Sequence, residues 1–469
     1  MPTEISVEQN ADGSSTIKYD DGSFEIAHPD GSGEWHDPNG GIQRWDSDGN
    51  SVEWQGSSLA SDREIEFPIK TDTACQLKWS HSTVFLPTNK TSSCHRVHQD
   101  PIPDNFDFHN TPQKIVARER MLAGEWPGHG CEYCKVIEDQ NGLSDRLIHR
   151  QYAGLGPPPE LDINPVATHV TPRWLEVYFS NYCNLKCVYC GPHFSSSWVS
   201  ELKRAGKPTN DYSELTHIEN LFKWFENNIH HLYNLIILGG EPFLQPQSDR
   251  LIDFLETKTC PELTLTFFSN LSVSDHKIKQ RLERIQNLKA SGKIKEVRIV
   301  ASLDCWGKQA EYIRYGLDLN LFRENFEYLL HNTTASLNIN MAWNALSTFT
   351  MPEFFEKFNE WNNVRRVYGS IMTTNDTFAV KGLTQSPRMF GDKLIDWGYS
   401  EIVDAIDTHN DLELEKFKQH LLGLADSIIS TPADKQAQLE FHKYLTELDS
   451  RRGTHYPDLF PELYQEIHK

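Results

Sequence analysis

From about Arg173 onward, short apolar runs alternate with segments whose apolar residues recur at helical spacing. The runs RWLEVYFS, LYNLIILGG, LTLTFFSN, EVRIVASLD, LNINMAWN and VRRVYGSIM have the length and the aliphatic and aromatic content of strands. Between them, segments such as THIENLFKWFENNIHHL place apolar residues three and four apart, as amphipathic helices do. This alternation predicts parallel strands, because a parallel pair needs a long crossover that a helix supplies. Six βα units between residues 173 and 375 make an α/β fold: an open, partial (β/α)6 barrel rather than a closed eight-fold one.

Residues 12–50 follow another period, with Asp12-Gly13, Asp21-Gly22, Asp30-Gly31, Asn39-Gly40 and Asp48-Gly49 recurring every nine residues. Such pairs favour hairpin turns because both central residues tolerate positive φ, and TIKYD, FEIAH, GEWHD, IQRWD and VEWQG suit short strands. Residues 1–56 are therefore expected to form a β-meander. Calcium-binding β-helices share the period, but their glycine and aspartate pattern is not matched. Trp35, Trp45 and Trp54 either recognise a partner or pack the module on the core, and both readings stay open.

Residues 57–170 are irregular and cysteine-bearing, with the linker-like run GPPPE at 156–160. The strand-rich core spans 171–375. Residues 376–469 are polar, with helical stretches LEKFKQHLLGLADSII and KQAQLEFHKYLTEL, and are expected to form a C-terminal helical extension.

Composition narrows the function classes. The 469 residues are 38% hydrophobic and 24% charged, and 12 Trp with 24 Phe argue against broad disorder. Lys plus Arg number 45 against 66 Asp plus Glu, a formal charge of −21 that opposes docking on a phosphate backbone or an anionic membrane. No nucleic-acid or membrane partner is expected. MPTEISVEQN has neither a basic n-region nor an apolar h-region, and no run approaches a membrane span, so a soluble, cytoplasmic protein is expected. Nine cysteines without a secretory signal point to metal ligands or reduced thiols rather than disulfides.

Three of them follow the first core strand: YFSNYCNLKCVYC sets Cys183, Cys187 and Cys190 in C-x3-C-x2-C spacing. Ligands of parallel sheets gather at the carboxyl ends of strands. Thiolates suit iron–sulfur clusters, and a cubane ordinarily takes four, so three from one loop leave one iron open. Taken alone, the triad also allows a zinc site with His193 as fourth ligand, or inert buried thiols.

CNLKCVYC, with Tyr189 before the third cysteine, resembles the cluster loop of the radical S-adenosylmethionine (SAM) superfamily, and further matches follow in strand order. Gly239, Gly240, Glu241 and Pro242 are similar to the family's GGEP motif, which implies hydrogen bonding to the SAM amino group, the glycines admitting the cofactor close to backbone. Ser269 and Asn270 in FFSN, and Ser302 and Asp304 in SLD, stand where the resemblance implies ribose contacts. Arg314 matches a position where an arginine meets the SAM carboxylate, and Asn344 one that serves the adenine side. Without the resemblance, Gly-Gly ends a strand, Asn270 and Asp304 cap helices and Arg314 lies on a solvated face.

Cys75, Cys94, Cys131 and Cys134 precede the core. Their surroundings CQLKWSHS, SSCHR and MLAGEWPGHGCEYC resemble the auxiliary-cluster segment of twitch-type, SPASM-like radical SAM proteins, here N-terminal to the core. A single Cys94 followed by His95 stands where some relatives have a cysteine pair. The resemblance implies an auxiliary 4Fe–4S cluster; zinc or no metal are the alternatives, with His81, His95, His98 and His129 as substitute ligands. Cys260 and Cys305 read as isolated buried thiols, Cys305 beside Asp304 near the SAM pocket.

The implied activity is reductive cleavage of SAM at a 4Fe–4S cluster to methionine and a 5′-deoxyadenosyl radical, which abstracts hydrogen from a substrate expected to be a peptide or protein side chain. An external one-electron donor is implied, and no catalytic side chain is assigned beyond the cluster ligands. The alternatives are the same chemistry on a small metabolite, and a non-catalytic iron–sulfur or zinc scaffold whose β-repeat binds a partner.

Overall fold

Each of the six apolar runs of the core becomes a strand, and each of the first five is followed by helix that carries the chain back to the next parallel position. The computed structural model describes residues 4–10, 14–19, 24–30, 32–36, 42–45, 51–55, 71–94, 97–128, 130–139, 144, 146–147, 167–210, 212, 215–373, 390 and 433–468. The chain divides into two units, residues 1–79 with 115–170, and residues 80–114 with 171–469.

In the first unit, β1 (Glu4–Gln9), β2 (Ser15–Tyr19), β3 (Phe24–Ala27), β4 (Gly33–His36), β5 (Ile42–Trp45) and β6 (Ser51–Gln55) pair antiparallel in chain order. That is the pairing of a meander, not of a parallel β-helix. The Asp-Gly and Asn-Gly turns lie outside the described residues, apart from Asp30. The helix Glu132–Asp139 belongs to the same unit. The run GPPPE lies outside the described residues.

The second unit is built on β10 (Trp174–Tyr178), β11 (Asn234–Leu238), β12 (Cys260–Ser269), β13 (Ile294–Ser302), β14 (Ser336–Trp343) and β15 (Val367–Thr373), all parallel to their neighbours. Val177, Ile237, Phe267, Ile299, Leu337 and Val367 pair in one row across all six strands, and every one is buried. At about 1.5–3 kcal/mol for each large apolar side chain removed from water, that row alone fixes the register, since a one-residue slip would turn it to the other face. The crossovers include the helices Ser196–Arg204, Ile218–Asn228, Pro246–Glu256, Asp275–Ala290, Leu319–Asn332 and Met351–Val364. All strand-to-helix loops therefore emerge along one edge of the sheet.

The sheet is longer than the sequence suggests. Residues 80–114, read as irregular, add β7 (His81–Phe85), which pairs parallel to β10, and then antiparallel β8 (Lys90–Ser92) and β9 (Asp100–Pro101). The reason is that β7 buries polar side chains. His81 Nε2 lies 3.4 Å from Glu176, Thr83 Oγ1 donates to Glu176 (2.9 Å), and the buried Lys114 ammonium donates to Ser82 Oγ, Thr91 Oγ1 and Phe108 O. Satisfied polar groups replace the apolar alternation that marks a strand.

The described part of the C-terminal extension is helical. Asp434 caps the helix Lys435–Arg452 by accepting from Ala437 N (3.0 Å), Gly453 ends it in the left-handed region (φ +68°), and Phe441, Leu445 and Leu448 form its buried stripe. The stretch LEKFKQHLLGLADSII lies outside the described residues. Among the described residues no helix is long and apolar enough to cross a membrane.

Candidate metal centre

β10 ends at Tyr178, and the chain reaches the helix Ser196–Arg204 through the loop that carries the triad. Ser195 caps that helix, its Oγ accepting from Trp198 N (3.3 Å) and donating to Leu185 O (2.6 Å). Ser197 Oγ donates to Cys183 O (2.7 Å), Cys183 N donates to Ser196 Oγ (3.2 Å), and Trp198 Nε1 donates to Cys187 O (2.9 Å). The sequence reading missed this serine run, although Ser-Ser-Ser-Trp at a helix start is a capping signal.

Burial is the first influence on the three thiols and raises each, Cys190 to about 12. For Cys183 and Cys190 the charge of Cys187 comes next, so the sulfurs lie close enough to repel one another as thiolates. A bound soft cation reverses that preference, because metal binding displaces the thiol protons. Donors already face Cys183 Sγ: Leu185 N at 3.4 Å and Asn270 Nδ2 at 3.9 Å. Hydrogen bonds of this kind suit a ligated thiolate. Arg314 exerts the largest opposing pull on Cys187, and its Nε is buried without a hydrogen-bond partner among the described residues. Grouped thiols, donors aimed at sulfur and an unsatisfied guanidinium N–H fit an anionic cluster with a carboxylate-bearing ligand beside it.

Among the described residues no three His, Cys, Asp or Glu side chains converge on a single ion. A cubane asks for no such convergence, since each thiolate takes a different iron. His193, the sequence's candidate for a zinc ligand, packs 4.2 Å from the Phe194 ring, and burial lowers its pKa.

The Gly239–Pro242 loop docks on the cysteine loop. Gly239 and Gly240 take φ of +80° and +57°, and an added Cβ would lie 2.6 Å from Tyr178 Cδ1 at the first and 2.2 Å from Tyr182 O at the second. The glycines serve a close approach of the chain to itself, a requirement that stands beside the implied one of admitting a cofactor. Glu241 N donates to Tyr182 O (2.8 Å), and Gln245 Nε2 donates to Gly239 O (2.7 Å). Pro242 opens the short turn Pro242–Leu244.

Glu241 is fully buried, with its carboxylate occupied by the protein. Oε1 accepts from Phe243 N (3.0 Å) and Ser269 Oγ (2.8 Å), and Oε2 from Asn270 N (2.7 Å). Burial outweighs these bonds and raises its pKa to about 7. In the structure the side chain ties the loop after β11 to the end of β12. Asn270 is also committed: Nδ2 donates to Asn184 Oδ1 (2.9 Å) and Oδ1 accepts from Ser272 N (2.8 Å).

Asp304, just past β13, is 1% exposed and receives Tyr189 OH (2.7 Å), Arg314 Nη2 (2.8 Å) and Ala342 N (2.9 Å). It is therefore a buried hub rather than a helix cap, and Arg314, 7% exposed, is not on a solvated face. Burial works against the Arg314 charge, yet Asp304 and then Tyr189 hold the guanidinium above its ordinary range. Asn344 shapes its own turn, donating to Ala342 O (2.8 Å) and accepting from Leu346 N (3.0 Å). Ser302 ends β13 half-buried.

The second cysteine set is split. Cys75, Cys131 and Cys134 belong to the first unit and Cys94 to the second. In the first unit Arg146 donates to Ala74 O (2.8 Å) and pairs with Glu138, on the helix that carries Cys134. Cys260 and Cys305 are buried, Cys305 completely. Of the substitute ligands, His81 is buried in the β7 network and His95 and His129 lie outside the described residues.

Residues 177–306 match the family model of the Radical SAM superfamily. The match takes in the triad, Gly239 to Pro242, Ser269, Asn270, Ser302 and Asp304, and stops short of Arg314, Asn344 and the upstream cysteines. No curated protein matches the chain. With its three thiols on the loop after the first strand of that match, the chain carries a radical SAM domain and is an enzyme of that class.

Proposed function

We propose that the chain modifies a peptide or protein side chain, using SAM bound beside the triad. Cys183, Cys187 and Cys190 would hold the 4Fe–4S cluster, and Arg314 Nε would serve the SAM carboxylate. When bound, the cluster and SAM supply reductive cleavage of a carbon–sulfur bond, fed by an external one-electron donor, and a 5′-deoxyadenosyl radical able to take a hydrogen atom from carbon. The chain's own contribution is positioning: Glu241 and Asn270 fix the loops flanking Cys183, and Asp304 orients Tyr189 and Arg314. The six parallel strands read as the partial barrel of this class.

The observation that carries the proposal is the triad itself, three thiols grouped on one loop with N–H donors on Cys183 and an unsatisfied arginine N–H nearby. The polypeptide substrate is supported by the first unit. Its sheet ends in β1 and β6, and edge strands offer unpaired main-chain groups to an extended peptide. Cys75, Cys131 and Cys134 read as ligands of an auxiliary cluster of the twitch type, supported by the Arg146 link between the Cys75 segment and the helix of Cys134.

Anaerobic reconstitution with iron and sulfide, iron quantitation and assay of 5′-deoxyadenosine test the reading. The expected result is a loaded protein that cleaves SAM on reduction, faster with a peptide pool than with a metabolite pool. No SAM cleavage in loaded, reduced protein overturns the activity; stimulation by metabolites alone overturns the peptide substrate.

A further inference from the structure

The helix Lys435–Arg452 lies far beyond the family match, yet it touches the backbone of the cysteine loop. Tyr444 OH donates to Val188 O (2.6 Å), directly after Cys187. Arg452, its side chain only 2% exposed, donates Nε to Glu201 Oε2 (3.1 Å), and its guanidinium lies 4.8 Å from the Trp198 ring and 4.7 Å from the Tyr315 ring. Both rings serve the loop: Trp198 Nε1 holds Cys187 O, and Tyr315 O accepts Lys186 N (2.8 Å). Arg452 Nη2 is buried without a hydrogen-bond partner among the described residues, so the aromatic faces are what that edge of the guanidinium meets.

Glu201 ties the arrangement together. It lies on the helix Ser196–Arg204 that follows the triad and takes Lys186 Nζ (2.8 Å), Arg451 Nε (3.1 Å) and Arg452 Nε. Burial works to raise its pKa, and Lys186 with Arg452 outweighs burial to hold it below the usual carboxylate range. Glu447 takes the other edge of Arg451, so the cations gathered on Glu201 are largely matched by carboxylates and act here through geometry. Backbone bonds complete the clamp, with Val188 N donating to Ile313 O (2.7 Å).

We propose that the helix Lys435–Arg452 is part of the cluster site, with Tyr444 and Arg452 as positioning residues that hold the Cys187–Val188 backbone, the first directly and the second through Trp198 and Glu201. A cubane tolerates little displacement of its ligands, and the carbonyl after the middle cysteine is held by Tyr444 from outside the loop. The C-terminal helix supplies that support from more than 240 residues away. The inference rests on the triad holding a cluster, but its first test does not.

In the full-length chain before reconstitution, the alkylation rate of Cys187 is compared with that of the buried Cys260 and Cys305 by mass spectrometry. Tyr444→Phe is expected to speed Cys187 labelling by about fivefold, the effect of one net hydrogen bond on a local opening equilibrium, while Cys260 and Cys305 stay unchanged. Arg452→Lys, which keeps the charge and loses the planar stacking, is expected to do the same. Leu439→Ala, at an exposed position of the same helix, should match the parent. After reconstitution, Tyr444→Phe should lose iron faster on desalting and show a shifted cluster midpoint potential at an unchanged melting temperature. Equal acceleration at all three thiols means general loosening and overturns the proposal, as does parental labelling and iron retention in Tyr444→Phe. Should Arg452→Lys fail to fold, Tyr444→Phe decides. Selective labelling with no iron uptake even in the parent would leave the brace standing and refute the cluster.

Discussion

Asn270 N donates to Glu241 Oε2 at 2.7 Å across 29 residues of sequence, and the same asparagine sends its side-chain amide toward Cys183 Sγ at 3.9 Å. One carboxylate thus locks the end of β12 against the loop after β11, and the locked strand end faces the Cys183 thiol. The consequence is that Glu241 is coupled to the cysteine loop through Asn270 rather than by touching a thiol.

This carboxylate should make stability depend on pH in a stated direction. Its folded pKa is raised by burial from 4.5 to about 7, so its favourable contribution is fully present below about pH 4.5 and is lost as pH rises through 7. The full loss is on the order of 3 kcal/mol. Urea unfolding of the parent and Glu241→Gln between pH 5 and 8 measures it: the difference between the two curves should change across pH 5–7 and level off above. A constant difference would show that Glu241 does not titrate in this window.

Gly240→Ala is expected to displace the loop. Its Cβ would sit 2.2 Å from Tyr182 O, backbone that cannot rotate away, and φ of +57° adds strain for any L side chain. About 3 kcal/mol of destabilisation follows from overpacking plus the left-handed backbone. Chemical denaturation gives the value, and iron bound after reconstitution should fall with it, because Tyr182 precedes Cys183.

The sequence made the parallel sheet legible because its strands are contiguous apolar runs, buried on both faces in the middle of the sheet, as Leu235, Ile236 and Ile237 are. It hid β7 because His81, Ser82 and Thr83 are satisfied by Glu176, His109 and Lys114, contacts that come from distant segments and leave no local pattern. The triad's position was legible from spacing, but spacing alone left zinc and inert thiols open, and the matches that follow in strand order chose between them. The duties of Glu241 and Asp304 were not legible: position in a motif locates a carboxylate, but which donors reach it depends on how three loops meet. Tyr444 and Arg452 left no signal at all, being ordinary residues of an amphipathic helix until packing sets them against the loop.

Asp304 separates a charge effect from a hydrogen-bond effect. Asp304→Asn leaves Arg314 buried without its counter-charge, which should cost about 3–5 kcal/mol, as removal of one partner of a buried pair does. Tyr189→Phe removes one donor and leaves the ion pair intact, with an expected loss of about 1 kcal/mol. Urea midpoints of the two variants give the comparison, and equal losses would mean that Arg314 finds another acceptor, its unsatisfied Nε being the place to look.

The two cysteine sets should separate in their effect on SAM cleavage. Cys187 is held from three sides, by Trp198 Nε1 at its own carbonyl and by Ile313 O and Tyr444 OH at Val188, so Cys187→Ala removes a ligand without dissolving the loop. It should abolish 5′-deoxyadenosine formation at an unchanged melting temperature. Cys131 lies in the other unit, at the start of the helix Glu132–Asp139 and outside the family match. Cys131→Ala should therefore keep substrate-independent cleavage while lowering total iron, if the upstream thiols hold a cluster of their own. Iron content, 5′-deoxyadenosine yield and melting temperature measured on the same preparations give the answer. Equal loss of cleavage in both variants, with the triad's cluster still present in Cys131→Ala, would contradict two separate sites and would make Cys131 part of the machinery that activates SAM.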